Sequence, residues 1–472
     1  MLTTGPSFSA PIALDPAYGQ LKEYLIESTG LAYYSDKDSD LAERIGRRLI
    51  KLGLSGCESY LRLLKDEKHG SVELDELIAE LTIGETYFFR YREQFDALRD
   101  TVLPEVIDRN RAIRRLRIWS AGCATGAEAY SIAILIRREL SESLAGWDVS
   151  IIGTDINRGF LGRAQTGDFE EWAFRSTTDE QRRACFRRAG DRWVINPEYK
   201  EGVAFQYHNL VQHPFPSLVN NLSSFDLILC RNAMIYFSRN IMRRLIEQFY
   251  DCLVDGGWLL VGHAEPSPDL FTGFQTVNAP GTTLFRKNLG FVPNISQIET
   301  PPPSSWLEGA RAVSKIRLTP PVETVTDPAP VPVENIIAQA SPQPSDVRLL
   351  ADQGQWEAAA RCSEKLIETD GLNPRAHFYY SLVLEHMGLH AEAEGSLRRA
   401  VYLDRSFALA HYYLGLLLQK KGDRRGALRS FENVRTLLSN VNDELRFEDA
   451  DEITTHDLMR LTETHLEVLG RS

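Results

Sequence analysis

The sequence predicts an α/β protein: a Rossmann-like, doubly wound sheet at the centre, an all-α domain before it and an α-solenoid after it. Three observations lead there. Residues 117–136, RIWSAGCATGAEAYSIAILI, read as strand, small-residue turn and helix, the opening unit of such a sheet. Further apolar runs at 149–154, 203–207, 225–230 and 258–261 each give way to polar residues. Towards the C-terminus, Gly354, Gly388 and Gly422 lie 34 residues apart, and Ala359, Ala393 and Ala427 keep the same interval. That interval is the tetratricopeptide period, with small residues where paired helices approach closely.

In chain order, residues 15–85 form the helical N-terminal domain. Leu41, Ile45, Leu49 and Leu52 recur at helical spacing, with Arg44, Arg47, Arg48 and Lys51 on the remaining faces. Such a cluster is either a solvated helix face or a docking surface for an acidic partner. In LTIGETYFFRYREQF, 81–95, the run Tyr87, Phe88 and Phe89 is costly unless buried or bound. Arg90 beside it offers a cationic fork suited to a carboxylate. Residues alone favour an aromatic hinge between the helical and α/β parts.

The α/β domain spans 86–287, with its sheet beginning near 115. The turn at 122–126 lets a ligand approach the backbone at a helix N-terminus. Asp155, ending the second strand, is placed to take the ribose hydroxyls of a nucleoside. Residues 169–200, rich in Arg, Glu and Trp, break the sheet rhythm and read as an insertion. Asp155, Asn209, Asn232 and Glu265 all follow strands and are expected to converge at the carboxyl edge of the sheet. Residues 288–343 are a proline-rich linker, 344–440 the repeats, and 441–472 an acidic tail with a capping helix.

Bulk properties narrow the function. A net charge of -12 argues against non-specific nucleic-acid binding. The six cysteines are scattered, with no CxxC pair, which suggests reduced thiols in a cytosol and no zinc site. No apolar run approaches the ~20 residues that span a bilayer, and the N-terminus lacks a signal-peptide pattern, so a cytoplasmic protein is expected. GxGxxG and GxxxxGK[ST] are both absent. His263 reads as a turn residue more readily than as a base. With no metal cluster and no nucleophile triad, the chemistry must ask little of the protein. Methyl transfer from S-adenosylmethionine fits, because its sulfonium is already activated and the protein only aligns donor and acceptor.

The motifs TIGETYFFR (82–90), WSAGCATGAEAYS (119–131), GTDIN (153–157), NL (209–210), FDLILCRNAMIYF (225–237) and GHAE (262–265) resemble, in order, those of the chemotaxis receptor methyltransferases, the CheR family. The resemblance covers residues 20–287. It implies methylation of glutamate side chains on the cytoplasmic helical bundle of a methyl-accepting chemoreceptor, giving glutamate methyl esters. It places Thr86 and Arg90 at the methionine end of the cofactor, with Gly84, Gly122 and Glu128 along the same pocket, and Asp155 on the ribose. Asn209, Leu210, Arg231 and Asn232 then frame the adenine and the pocket floor. Tyr236 lies near the transferred methyl and, with Arg90, counts as catalytic. The basic helix of Arg44, Arg47, Arg48 and Lys51 meets the acidic receptor. A glutamate acceptor is ionised near neutrality, so this chemistry needs neither a general base nor a metal.

This chain has Gly84 where the family often has Asn, and Ala127-Glu128 where it often has two acids. Weaker cofactor binding is the expectation, by ~1 kcal/mol per lost hydrogen bond. The insertion around Gly190-Asp191 is short beside relatives that dock on a receptor's tethered C-terminal peptide, so this enzyme is expected not to need that tether. Enzyme-plus-repeat architecture is similar to that of the Wsp-type surface-sensing system. The repeats are expected to bind a protein partner or another copy, with recruitment to membrane receptor clusters. Two rival readings follow from the same residues: a catalytically weak or inactive repeat scaffold, favoured by Gly84 and Ala127, and, more distantly, a small-molecule methyltransferase.

Overall fold

The structure, a computed structural model, describes residues 12–265, 269–290, 343–439, 441, 447 and 454–470. Helices α1 (Tyr18–Thr29), α2 (Asp38–Leu52), α3 (Cys57–Leu64) and α4 (Gly70–Leu81) form the N-terminal domain. Leu21, Ile45, Leu49, Tyr60 and Leu77 have no exposed surface and make its core. These are the apolar positions of the helical spacing, so the periodicity alone selects the packed face.

The opposite face of α2 carries the basic residues, and of these Arg48 is buried and so cannot meet a partner. Arg48 is buried in a two-pronged pair with Glu73 of α4, at 2.7 and 2.9 Å, and also reaches Glu76 at 3.0 Å. Arg47 pairs with Glu43 and Glu80, Lys51 with Glu76, and Arg44 donates to the Glu80 carbonyl. Four cations thus face Glu43, Glu73, Glu76 and Glu80, and the local charge cancels. Arg48 is an interior structural residue. A buried ion must be paired, and the acids of α4 supply the pairing.

After α5 (Arg92–Ala97) and α6 (Leu103–Arg109), strand β1 (Arg115–Ala121) enters the sheet. Then follow α7 (Ala127–Glu139), β2 (Asp148–Asp155) and α8 (Arg158–Thr166). The insertion is a small antiparallel sheet of β3 (Asp168–Phe169), β4 (Phe186–Ala189) and β5 (Arg192–Ile195), with α9 (Asp179–Cys185) between the first two. Its β4–β5 hairpin turns through Gly190 and Asp191. The main sheet continues with β6 (Val203–Tyr207), β7 (Phe225–Cys230), α10 (Arg239–Cys252), β8 (Leu253–Val261), β9 (Gln275–Ala279) and β10 (Thr282–Arg286).

The seven strands run in the order β6-β2-β1-β7-β8-β10-β9. The first five pair in parallel, and β10 and β9 add antiparallel. β7 is buried along its whole length and β1 almost so, as central strands covered by helices on both faces must be. From β1 the chain goes to β2 on one side and later returns as β7 on the other. The crevice at this switch point, at the carboxyl ends of the strands, is where such sheets bind ligands.

The aromatic run is divided among neighbours. Phe88 is fully buried, with ring centroids 4.8, 5.2 and 4.7 Å from Phe169, Phe174 and Phe186. Phe89 packs on Phe95, and Tyr87 lies under the Arg175 guanidinium at 3.5 Å. The segment therefore bolts the insertion to the sheet, a fixed junction where the sequence suggested a hinge.

The repeat region pairs α11 (Pro344–Asp352) with α12 (Trp356–Thr369), α13 (Pro374–His386) with α14 (His390–Leu403), and α15 (Ala408–Lys420) with α16 (Arg424–Leu438). Gly354, Gly388 and Gly422 have φ of 73°, 78° and 80° just past the first helix of each pair, which explains the repeated glycine. Ala359, Ala393 and Ala427 have no exposed surface. Helix α17 (Thr455–Gly470) covers the last pair and buries Leu458 in the repeat core. The linker segment 291–342 lies outside the described residues, as does the acidic stretch 442–452 apart from Phe447.

Candidate functional site

A cavity lies between the N-terminal domain and the carboxyl edge of the sheet. Its base is the turn after β1. Gly122 has φ 74°, and an added Cβ would stand 2.9 Å from that of Ala233, so both conformation and space require glycine. The N–H groups of Gly122 and Cys123 donate to the Thr154 carbonyl, tying the turn to the end of β2.

Asp155 sits beside that turn. Its Oδ2 accepts from the Ala124 N–H at 2.9 Å and its Oδ1 from the Asn157 N–H at 2.8 Å. Burial outweighs these bonds and pushes the carboxyl up to about 6. Each oxygen keeps a lone pair for a further donor, so the carboxylate suits a vicinal diol.

Glu128, in the first turn of α7, accepts from Ser120 Oγ at 2.6 Å and from Arg231 Nη1 at 3.1 Å. The Arg231 side chain is 2% exposed and also donates to the Arg90 carbonyl. Burial lowers its pKa, and Glu128 is the main opposing influence. Arg231 is thus a strut beneath the cavity, holding Glu128 and the segment of Arg90. Arg90 donates to the Glu85 carbonyl and leaves its buried Nε without a protein partner.

Asn232 adopts φ 58°, with its Nδ2 3.3 Å from Tyr91 Oη and its Oδ1 unpartnered. That backbone is held by Glu265, which accepts from the N–H groups of Asn232 at 3.1 Å and Ile235 at 3.3 Å. Glu265 lies behind the cavity wall, 6% exposed. Of the four acids and amides expected to converge, Asp155, Asn209 and Asn232 line the cavity and Glu265 braces it. Tyr236 lines the mouth, its ring edge-on to Tyr33 at 5.7 Å. Burial raises the Tyr236 phenol, so it is neutral near pH 7.

Thr86, Arg90, Gly122, Glu128, Asp155, Asn209, Leu210, Arg231, Asn232 and Tyr236 therefore border one cavity. Two sequence expectations change in kind. Asn209 spends its side chain on protein: Nδ2 donates to the Ser28 carbonyl at 2.8 Å, and Oδ1 accepts from the Val211 and Gln212 N–H groups. It fastens the N-terminal domain to the end of β6 while still bordering the cavity. Gly84 does not border the cavity; a Cβ there would stand 2.5 Å from Phe160 Cζ. The aromatic ring occupies the space of the missing side chain. Ala127 is likewise fully buried, among Phe88, Tyr130 and Phe169. His263 is no part of the wall; it pairs with Glu93 at 2.8 Å.

The sequence reading missed Tyr33, Tyr34, Phe160 and His208, which also border the cavity. Burial pulls the His208 imidazole down to about 3, so it is neutral. The Tyr33-Tyr34 pair was a visible signal, but nothing local places a 3-10 turn of the N-terminal domain over a sheet 100 residues later. The donor set fits a zwitterionic nucleoside: a carboxylate for a diol, Glu128 for an ammonium, and Arg90 with an unpaired buried N–H for a carboxylate.

Residues 84–282 match the CheR methyltransferase SAM-binding domain, and residues 16–82 match the CheR methyltransferase all-alpha domain. The chain is 32% identical over 235 residues to the chemotaxis protein methyltransferase of Listeria monocytogenes, covering 50% of this chain and 83% of that one. It is 29% identical over 269 residues to chemotaxis protein methyltransferase 1 of Pseudomonas aeruginosa, covering 56% and 94%. Similarity to the probable biofilm formation methyltransferase WspC of P. aeruginosa, at 27% over 426 residues, spans 86% of this chain and 96% of that one.

Proposed function

This chain belongs to the CheR methyltransferase family, and we propose that it methylates glutamate side chains of a methyl-accepting chemoreceptor, giving glutamate methyl esters. S-adenosylmethionine is its cofactor, and chemotaxis-type signalling its setting. The observation carrying the finer reading is a single cavity bordered by Arg90, Glu128, Asp155 and Tyr236, with no basic group needed at its mouth.

When bound, S-adenosylmethionine supplies a methyl group already activated on a sulfonium sulfur. Arg90 and Glu128 would hold the carboxylate and ammonium of its amino-acid end, and Asp155 would hold the ribose hydroxyls. Three anchors fix the direction of the methyl, which converts a bimolecular step into an oriented one. The acceptor glutamate, with a reference pKa of about 4.3, arrives ionised. The cofactor would supply the methyl to the acceptor's oxygen, the O–CH3 bond forming as the S–CH3 bond breaks, so no residue of the protein would need to move a proton. Tyr236, neutral and beside Tyr33, narrows the mouth and offers its O–H to the acceptor's second oxygen.

An acidic receptor has to compete with Glu43, Glu76 and Glu80 for Arg44, Arg47 and Lys51. Steering by α2 is then weaker than its charge count suggests. No helix among the described residues is long and apolar enough to cross a membrane, which suits a cytoplasmic enzyme recruited to receptor clusters. Phe160 fills the space at Gly84 and an aromatic cluster surrounds Ala127; Thr86, Arg90, Asp155, Asn232 and Tyr236 on one cavity support the enzyme over the scaffold.

The test is transfer of labelled methyl from S-adenosylmethionine to a receptor cytoplasmic fragment, followed by mild alkali. Label released as methanol establishes a carboxyl ester. Alkali-stable label, or none from protein that binds S-adenosylhomocysteine, rejects glutamate as the acceptor.

A further inference from the structure

Asp352, His386 and Lys420 occupy the same position in three successive repeats, 34 residues apart. Asp352 and Lys420 meet the methyltransferase domain of the same chain directly, and His386 reaches it through Trp356. Asp352 Oδ1 accepts from the Leu218 N–H at 2.7 Å. His386 stacks at 4.3 Å on Trp356, whose Nε1 donates to Ser224 Oγ at 2.8 Å. Lys420 pairs with Asp148, at the start of β2, at 2.9 Å. Tyr413 Oη donates to the Val219 carbonyl. Leu218 and Val219, 2% and 1% exposed, are packed into the repeat core itself.

The segment held in this way is continuous with the cofactor cavity. Seven residues, 211–217, separate it from Leu210 of the cavity wall. They are not slack: the His213 N–H donates to the Asn209 carbonyl, Gln248 holds the Phe215 carbonyl, and the Phe215 ring packs on Trp119 and His208. A second attachment lies beside Asp155. Arg158, opening α8, joins Asp457 of α17 at 2.5 Å and Asp75 of α4 at 2.8 Å, so the terminal helix grips both enzyme domains next to the cavity.

We propose that the repeat domain is an intramolecular clamp. It holds residues 217–224, a turn closed by the Ser217–Leu222 bridge, as an internal ligand, and exchanging that ligand for a partner's turn with two adjacent aliphatic residues at its corner lowers the affinity of the cofactor cavity. Recognition falls on the backbone at both ends, through Asp352 and Tyr413, and on two aliphatic side chains between them. Any turn with such a pair at its corner presents the same groups. The inference rests on cofactor binding in the cavity and not on the identity of the methyl acceptor.

Linkage makes this testable in the intact chain, because coupling between two sites is reciprocal. Saturating S-adenosylhomocysteine should slow amide exchange of segment 215–224 by at least about threefold, and Asp352→Ala with Tyr413→Phe should weaken S-adenosylhomocysteine by about the same factor. The β4–β5 hairpin serves as an exchange control. Unchanged exchange under saturating ligand, or equal affinity in the double variant, overturns the clamp. A labelled peptide of residues 215–224 should bind the full chain carrying Leu218→Asp and Val219→Asp better than the unmodified chain, whose site is filled at high effective concentration. Equal or absent binding to that variant, if folded by circular dichroism, also overturns it. If it fails to fold, the exchange measurement on the unmodified chain decides. Absence of S-adenosylhomocysteine binding altogether would instead refute the cofactor reading.

Discussion

Replacing Asp155 by Asn removes the negative charge while keeping the shape. Both Asp155 oxygens accept backbone N–H groups, from Ala124 and Asn157. An amide must therefore turn its NH2 against one of these donors, which costs about 1–3 kcal/mol of stability. Towards the ligand, the variant loses the charge on one hydroxyl contact and the acceptor of the other. With charge-assisted bonds contributing about 1.5–3 kcal/mol each, a net loss of roughly 2–3 kcal/mol weakens binding about 30- to 150-fold. The pH profile separates this from general damage. The wild-type carboxyl is raised to about 6, so at pH 5 only about a tenth is ionised and the apparent Kd rises about tenfold over its value at pH 7.5.

The stability of the free protein runs the opposite way. A folded pKa raised above the unfolded value of about 3.9 means that this group's stabilising contribution is full below that value and fades as pH rises through 6. Ligand-induced stabilisation should nonetheless be larger at neutral pH than at pH 5, because the ribose contact needs the ionised carboxylate. Calorimetric titration of S-adenosylhomocysteine at about pH 5, 6 and 7.5 reads both effects. A flat wild-type profile, or an Asn variant with the same slope as wild type, would refute the assignment of Asp155 to the ribose.

Four further outcomes are expected. Gly84→Asn should lower the melting temperature, since its Cβ would stand 2.5 Å from Phe160; overpacking of this kind costs about 1–3 kcal/mol, and adding Phe160→Ala should recover part of it. Glu128→Gln leaves Arg231 buried without its counter-charge, so chemical denaturation should show a loss of about 3 kcal/mol alongside weaker cofactor binding. Arg48→Ala should cost about 3–5 kcal/mol by stranding Glu73, whereas Lys51→Ala, at an exposed pair, should change the same denaturation curve by less than about 0.5 kcal/mol. Removing a receptor's C-terminal peptide should leave methylation kinetics unchanged; a large loss of rate would show that the short Gly190-Asp191 hairpin does dock a tether.

Local chemistry was readable in the chain because it depends on residue type and interval. A small-residue turn after an apolar run, an acid closing the next strand, and a 34-residue recurrence of Gly and Ala each report a backbone requirement that neighbouring residues satisfy. From these came the sheet, the cavity at its carboxyl edge and the solenoid. What spacing could not carry was the partner of each side chain. Arg48 looked like surface charge until Glu73, 25 residues away, neutralised it. Asn209 borders the cavity, but its tie to Ser28, 181 residues away, was not legible in the chain. Gly84 looked like a lost hydrogen bond until Phe160 filled its space. The repeat face looked open to a partner, yet Leu218 and Val219 of the same chain lie on it. A charge or a cavity is defined by everything that packs against it, and in a folded chain most of those neighbours are distant in sequence.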